Sequence, residues 1–183
     1  MSDQLDVLVL LAGRLNEAGF EYMVTGSMAL NAWAEPRMTR DVDIIVRVDP
    51  PEAGRLLKAF GPEFYVPESM AHERVRMRRM FNIIHMQLAA KVDIIPLKQE
   101  PFALSAFARR RDVNAEGHEL VVASPEDVLL SKLVWARETK SDMQTRDIRN
   151  LLAAQRALDW EYVTRWATTL GVLDRLAEIR SDF

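Results

Sequence analysis

Leu5, Leu8, Ala12 and Leu15 recur at three- and four-residue intervals, the spacing of one helical face, and Gly19 stands where a C-cap would end that helix. Phe20 to Val24 is a short apolar run that predicts a strand. Gly26-Ser27 follows it, then Met28 to Ala34 of helical composition, stopped before Pro36. Val42 to Val48 carries the strongest strand signal of the chain and is closed by Asp49-Pro50-Pro51. Glu52 to Phe60 predicts a helix ending at Gly61-Pro62, whereas residues 63–80 favour neither period. Phe81 to Leu88 and Lys91 to Leu97 predict two strands joined through Ala89-Ala90 as a hairpin. Phe102 to Arg111 predicts a helix and Gly117 to Ala123 a short strand. From Ser124 onward the pattern is helical to the end. Ser124-Pro125-Glu126-Asp127 supplies a capping hydroxyl, a proline at the first helical position and acids in the first turn. The expected class is α+β: a mixed sheet flanked by helices in residues 1–123, with a helical part, residues 124–183, packed on it.

Composition narrows the class of function. Of 183 residues 49% are hydrophobic and 28% charged, a folded balance at the size of one domain or one domain with a helical appendage. Cysteine is absent, which excludes disulfides, thiolate catalysis and cysteine-bound zinc. Twenty-four Lys and Arg against 27 Asp and Glu leave a net charge of −3, so no global positive field announces a nucleic-acid partner. The longest early apolar run, Val7 to Ala12, is far shorter than a membrane span and follows no basic region. A cytoplasmic protein with no membrane partner is expected.

Three aspartates carry the candidate chemistry. Asp41 and Asp43 flank Val42, so on a strand both carboxylates point to one face, about 6–7 Å apart. Two such charges among core-type residues repel and are costly to desolvate unless a cation compensates. A divalent metal does this most simply, and oxygen ligands suit magnesium or manganese. Against that, Asp41 can cap a turn and Asp43 can face water on an edge strand. Asp93, within Lys91-Val92-Asp93-Ile94-Ile95, sits in an apolar strand where aspartate is disfavoured. If that strand lies beside 41–48, the three carboxylates converge; otherwise Asp93 is a strand-end residue bonded to a backbone amide. Gly26-Ser27, between a strand and a helix, offers backbone N–H groups and a hydroxyl to a phosphate, and is equally an ordinary turn.

The order strand, Gly26-Ser27, thirteen residues, Asp41-Val42-Asp43-Ile44, then a distal Asp93 resembles the DNA polymerase β-type nucleotidyltransferase superfamily. That resemblance implies a mixed sheet flanked by helices, metals on Asp41, Asp43 and Asp93, and a triphosphate on Gly26 and Ser27. Arg37 and Arg40, ahead of the aspartate pair, can neutralise phosphates or be solvated. Farther on, Lys132 has Val128, Leu129, Trp135 and Ala136 as its helical neighbours, so it either snorkels or serves an enclosed anion. Ser124 to Asp127, a mid-helix Lys132, Arg137 and then Arg146-Asp147 resemble the AbiEii-type branch, although Asn150 stands where an acid is common and the chain is short. By that resemblance Lys132 contacts the triphosphate and Asp147 is a further acid of the nucleotide site.

The implied function is magnesium- or manganese-dependent transfer of a nucleoside monophosphate from an NTP to RNA, tRNA, a protein or a small molecule. Because the branch contains abortive-infection and toxin–antitoxin toxins, a cognate antitoxin is an implied partner. The alternative is the same fold without turnover, binding a nucleotide or a partner protein in the manner of an antitoxin. Arg74, Arg76, Arg78 and Arg79, with Arg109 to Arg111, are the only local basic excesses; they can grip a nucleic-acid backbone but are read here as solvated faces. His72, His85 and His118 share no ligand spacing, and Trp33, Met77, Met80 and the C-terminal tryptophans read as core.

Overall fold

The structure, a computed structural model, describes residues 3–139 and 141–181. The first helical face becomes α1 (Asp3–Glu17), burying Leu8, Leu11 and Leu15, and Gly19 takes the left-handed conformation (φ 71°) that turns the chain into β1 (Tyr22–Thr25). A short helix α2 (Gly26–Asn31) follows without a break, and a loop leads to β2 (Val42–Val46). A 3-10 turn at Pro50–Glu52 opens α3 (Ala53–Phe60), whose stripe Ala53, Leu56, Leu57 and Phe60 is buried. Then come β3 (Phe64–Tyr65), α4 (Glu68–Arg76), β4 (Phe81–His85), β5 (Ala90–Pro96) and α5 (Pro101–Ala108). The hairpin β6 (Arg111–Ala115) and β7 (His118–Val122) precedes α6 (Pro125–Thr139), α7 (Asp142–Ala154), α8 (Trp160–Thr169) and α9 (Leu173–Arg180).

The strands form one seven-stranded sheet in the order β3-β4-β5-β2-β1-β7-β6. β2 runs parallel to β5 and β1 parallel to β7; the other pairs are antiparallel. The expected α+β class with a mixed sheet flanked by helices is therefore the class observed. Val42, Ile44 and Val46 are buried on one face of β2 while Asp43 and Ile45 stand half-buried on the other, the period of a strand whose second face is partly open. One hydrophobic cluster joins Leu8 of α1, Ile44 of β2, Leu133 of α6, Ile148 of α7 and Val163 of α8. The indole of Trp33 donates to the carbonyl of Ala123 at 2.7 Å, locking the α2 segment to the start of α6.

Some boundaries differ from expectation. The helix expected to run to Arg111 ends at Ala108, and Arg111–Ala115 is an edge strand paired with β7 through the turn Glu116-Gly117 at φ 51° and 91°. An edge strand of Arg, Asp, Val, Asn and Ala carries charge where a buried strand carries apolar side chains, so periodicity does not reveal it. α4 is hidden for a similar reason, since only Ala71 and Val75 of it are buried. Met77 and Met80, read as core, are each 47% exposed, and Trp135 is exposed on α6. β2 begins at Val42, so Asp41 lies just ahead of the strand and not in it. Among the described residues no helix is long and apolar enough to cross a membrane.

Candidate active site

The sheet register decides which carboxylates meet. Asn82 of β4 is opposite Asp93 of β5, Asp93 is opposite Asp43 of β2, and Asp43 is opposite Thr25 of β1. Residues in one such row share a face, so Asp43 and Asp93 are direct neighbours on the half-open side of the sheet. Asp93 is 8% exposed and its carboxylate accepts from the Asn82 amide. The pKa of Asp43 is pushed up to about 6, first by burial and then by the like charges of Asp93 and Asp41, with Lys91 and Lys132 only partly opposing this.

Gly26, the residue after Thr25, lies directly against Asp43. Its φ is 63°, and a Cβ there would collide with Oδ2 of Asp43. Any larger residue would be strained in its backbone and would drive the Asp43 carboxylate away. Gly26 is thus both the turn into α2 and the floor beneath Asp43. Next to it, the Ser27 hydroxyl accepts from an Arg37 Nη at 2.8 Å. Arg37 also forms a two-point pair with Asp147, Nε to Oδ1 and Nη to Oδ2, each 2.7 Å. Lys132 Nζ donates to the same Oδ2 at 2.7 Å and to Oε1 of Gln144 at 3.1 Å. Lys132 is 5% and Asp147 2% exposed. Burial alone would raise the pKa of Asp147, but the hydrogen bonds from Arg37 and Lys132 hold it below the usual carboxylate range.

Sequence families and curated proteins offer no match to the chain. Solved structures do. The antibiotic-resistance factor ANT(2'')-Ia superposes with a TM-score of 0.62 at 14% identity over 99% of this chain and 98% of that one. A nucleotidyltransferase-like protein from Paracoccidioides brasiliensis gives 0.61 at 18% identity over 97% and 91%. The lincosamide antibiotic adenylyltransferase LnuA, lincomycin-bound, gives 0.55 at 14% identity over 85% and 98%. The chain has a nucleotidyltransferase fold.

Within that fold the other expected site residues fall as follows. Asp41, exposed ahead of β2, directs Oδ1 to Lys91 Nζ at 3.3 Å, and the same ammonium lies 3.2 Å from Oδ1 of Asp93. Arg40 is exposed in the loop before β2. The helical neighbours of Lys132 offer it no anion, and Asp147 supplies one, because α6 and α7 pack side by side and bring residues 15 apart into contact. Asp147 in turn faces Arg37 and Lys132. Residues that the sequence pattern left aside are Asn82, Lys91 and the bridging role of Arg37. The spacing Lys91-x-Asp93 is the one legible signal among these, since alternate residues of a strand share a face.

The donor set suits a hard divalent cation: all oxygen, two carboxylates in register, and a third within reach of a shared ammonium. The raised pKa of Asp43 and the Lys91 ammonium between Asp41 and Asp93 both mark a place that favours positive charge. Among the described residues no three acidic or histidine groups are gathered around a single point. The oxygen donors thus suit magnesium or manganese by chemistry, while in the structure Lys91 takes the place of a cation between Asp41 and Asp93.

Proposed function

We propose that the protein transfers a nucleoside monophosphate from an NTP to an acceptor, with release of pyrophosphate. The observation that carries this reading is the in-register pair Asp43–Asp93, with Gly26 packed against the Asp43 carboxylate where a Cβ has no room. The Gly26-Ser27 backbone and the Ser27 hydroxyl would bind the triphosphate. Arg37 and Lys132 would offset charge on the departing pyrophosphate, held in place by Asp147. Arg40, exposed in the loop ahead of Asp41, would meet the same phosphates. The acceptor oxygen attacks the α-phosphorus, its proton passes to Asp93, and the bond to the β-phosphate oxygen breaks. Magnesium or manganese on Asp41, Asp43 and Asp93 would supply charge neutralisation at the transferred phosphoryl group.

Within this reading we keep the AbiEii-type likeness, which the Lys132–Asp147 pair supports, and with it RNA, tRNA or a protein as acceptor and a cognate antitoxin as partner. A small-molecule acceptor belongs in the same assay, since LnuA is described lincomycin-bound and ANT(2'')-Ia with adenylyl-2''-tobramycin. The test supplies four α-labelled NTPs with magnesium or manganese, cell RNA, cell protein and aminoglycosides. Label on one acceptor fraction with matching pyrophosphate is expected, falling at least about a hundredfold in Asp93→Asn with an unchanged circular dichroism spectrum. Full activity in Asp93→Asn overturns the assignment.

One observation favours a second reading, a nucleotide-binding protein without turnover: Lys91 already pairs with Asp41 and Asp93. NTP binding with no pyrophosphate release under any of these conditions would decide for it.

A further inference from the structure

The two arginine clusters of the chain meet opposite fates. Arg109 reaches Glu126 at 3.3 Å and Asp159 at 3.8 Å, Arg110 pairs with Glu21, and Arg111 reaches Glu126 at 3.4 Å. These three are consumed by the protein's own carboxylates. In the other cluster Arg78 is consumed in the same sense. It takes a positive φ of 49°, donates to the carbonyls of Leu97 at 2.8 Å and Val48 at 3.3 Å, and pairs with Asp49 at 3.0 Å. That clamp ties the end of α4 to the ends of β2 and β5. On either side of it Arg76, Arg79 and Lys98 are exposed, and among the described residues none of the three is in an ion pair.

Between them lies an open cleft of about 530 Å³, lined by Arg76, Met77, Arg79, Lys98, Gln99 and Glu100 besides Arg78. Three cations spread along a groove with only one acid among its lining residues suit a row of phosphates better than a single one, and the exposed Met77 offers apolar surface between the charges. β4 and β5, which border the cleft, carry two members of the aspartate row: Asn82 follows Arg79 by three residues and Lys98 follows Asp93 by five, which is about 10–17 Å of extended chain. We propose that this cleft binds the phosphate backbone of a single-stranded polynucleotide. The proposal stands on the charge and shape of the cleft and goes beyond the transfer reading. If both hold, the chain bound in the cleft is the acceptor.

The test is fluorescence anisotropy of the full chain with a labelled single-stranded RNA oligomer at several salt concentrations, alongside a DNA oligomer of the same sequence. The Arg76→Gln, Arg79→Gln, Lys98→Gln triple variant alters only exposed side chains. It is expected to bind at least tenfold more weakly at low salt, with the slope of log affinity against log salt reduced by about 2, roughly 0.7 for each phosphate no longer neutralised. A second triple variant, Arg146→Gln, Arg156→Gln, Arg165→Gln, removes as much charge elsewhere and is expected to bind like the parent. Asp93→Asn is expected to retain binding, which separates failure of the cleft from failure of the transfer reading. Equal affinity for RNA and DNA means the phosphates alone are recognised; a preference for RNA adds contacts to its 2′-hydroxyls. The proposal is overturned if the parent binds neither oligomer at low salt, if the first triple variant binds as the parent does, or if the second weakens binding equally.

Discussion

Asp43 and Asp93 face each other across two parallel strands, with Asp41 near by and Lys91 relieving part of the charge. A fold selected for stability alone would place apolar or paired residues in such a row, because burying like charges raises the free energy of the ionised state. The cost is visible in Asp43, whose pKa is pushed up to about 6. Lys91 is the internal cation of this cluster, and a divalent ion would compete with it for the same oxygens. Lys91→Met keeps most of the aliphatic stem and removes the ammonium. It is expected to tighten manganese binding to the nucleotide-free protein about tenfold, measured by calorimetry or by the electron paramagnetic resonance signal of free manganese. Unchanged or weaker manganese binding would show that Lys91 does not compete for the site.

At the scale of elements, the junction of α2, the 32–41 loop, α6 and α7 is organised by one buried carboxylate. Asp147 collects Arg37 from the loop and Lys132 from α6, and Arg37 passes the connection to Ser27. Removing one partner of such a group leaves the others buried without compensation, at about 3–5 kcal/mol. Lys132→Met is therefore expected to destabilise the protein, the opposite of what an unpaired buried amine would give. Asp147→Asn is expected to cost about 3 kcal/mol near pH 7 in urea titrations. Its pH dependence has a fixed sign. The pKa of the Asp147 carboxyl is held below its unfolded value, about 3.9, so its contribution is full above that value and is lost as pH falls through the lower, folded one. The gap between parent and Asp147→Asn should accordingly narrow below about pH 4; a gap independent of pH would mean that the lost stability is packing and not charge.

For the molecule as a whole, the helices after Ser124 share a core with the sheet. Leu129, Leu133, Ile148 and Val163 are buried in the same cluster as Val24, Val42 and Ile44. A polar network adds to this: Tyr162 of α8 donates to Asp127 of α6 at 2.7 Å, and Arg109 lies over the Tyr162 ring at 3.9 Å. With this core shared between the parts, unfolding is expected to be one cooperative transition, with backbone circular dichroism and tryptophan fluorescence coincident. Trp33 reports on the sheet side and Trp135, Trp160 and Trp166 on the helices, so two separate midpoints would reveal independent units.

Much of this was legible in the chain itself. Strong local periods wrote α1, α3, β2, β5 and the start of α6, because each buries a face wide enough to be apolar at regular spacing. The order Gly26-Ser27, Asp41-x-Asp43, Asp93 pointed to the nucleotidyltransferase fold because that arrangement needs a bare turn and acids set among apolar strand residues. Weakly buried pieces stayed hidden: β6 is a charged edge, and α4 hides only Ala71 and Val75. Partners distant in sequence were beyond any local pattern. That Asp43 stands against Asp93, that Arg37 and Lys132 meet on Asp147, and that Arg109 is spent on acids while Arg79 stays exposed all depend on strand register and helix packing. The sequence by itself determined which side chains were chemically out of place in their elements. Only the tertiary structure decided which of them compensate one another, because charge compensation acts over a few ångströms of space and takes no account of separation along the chain.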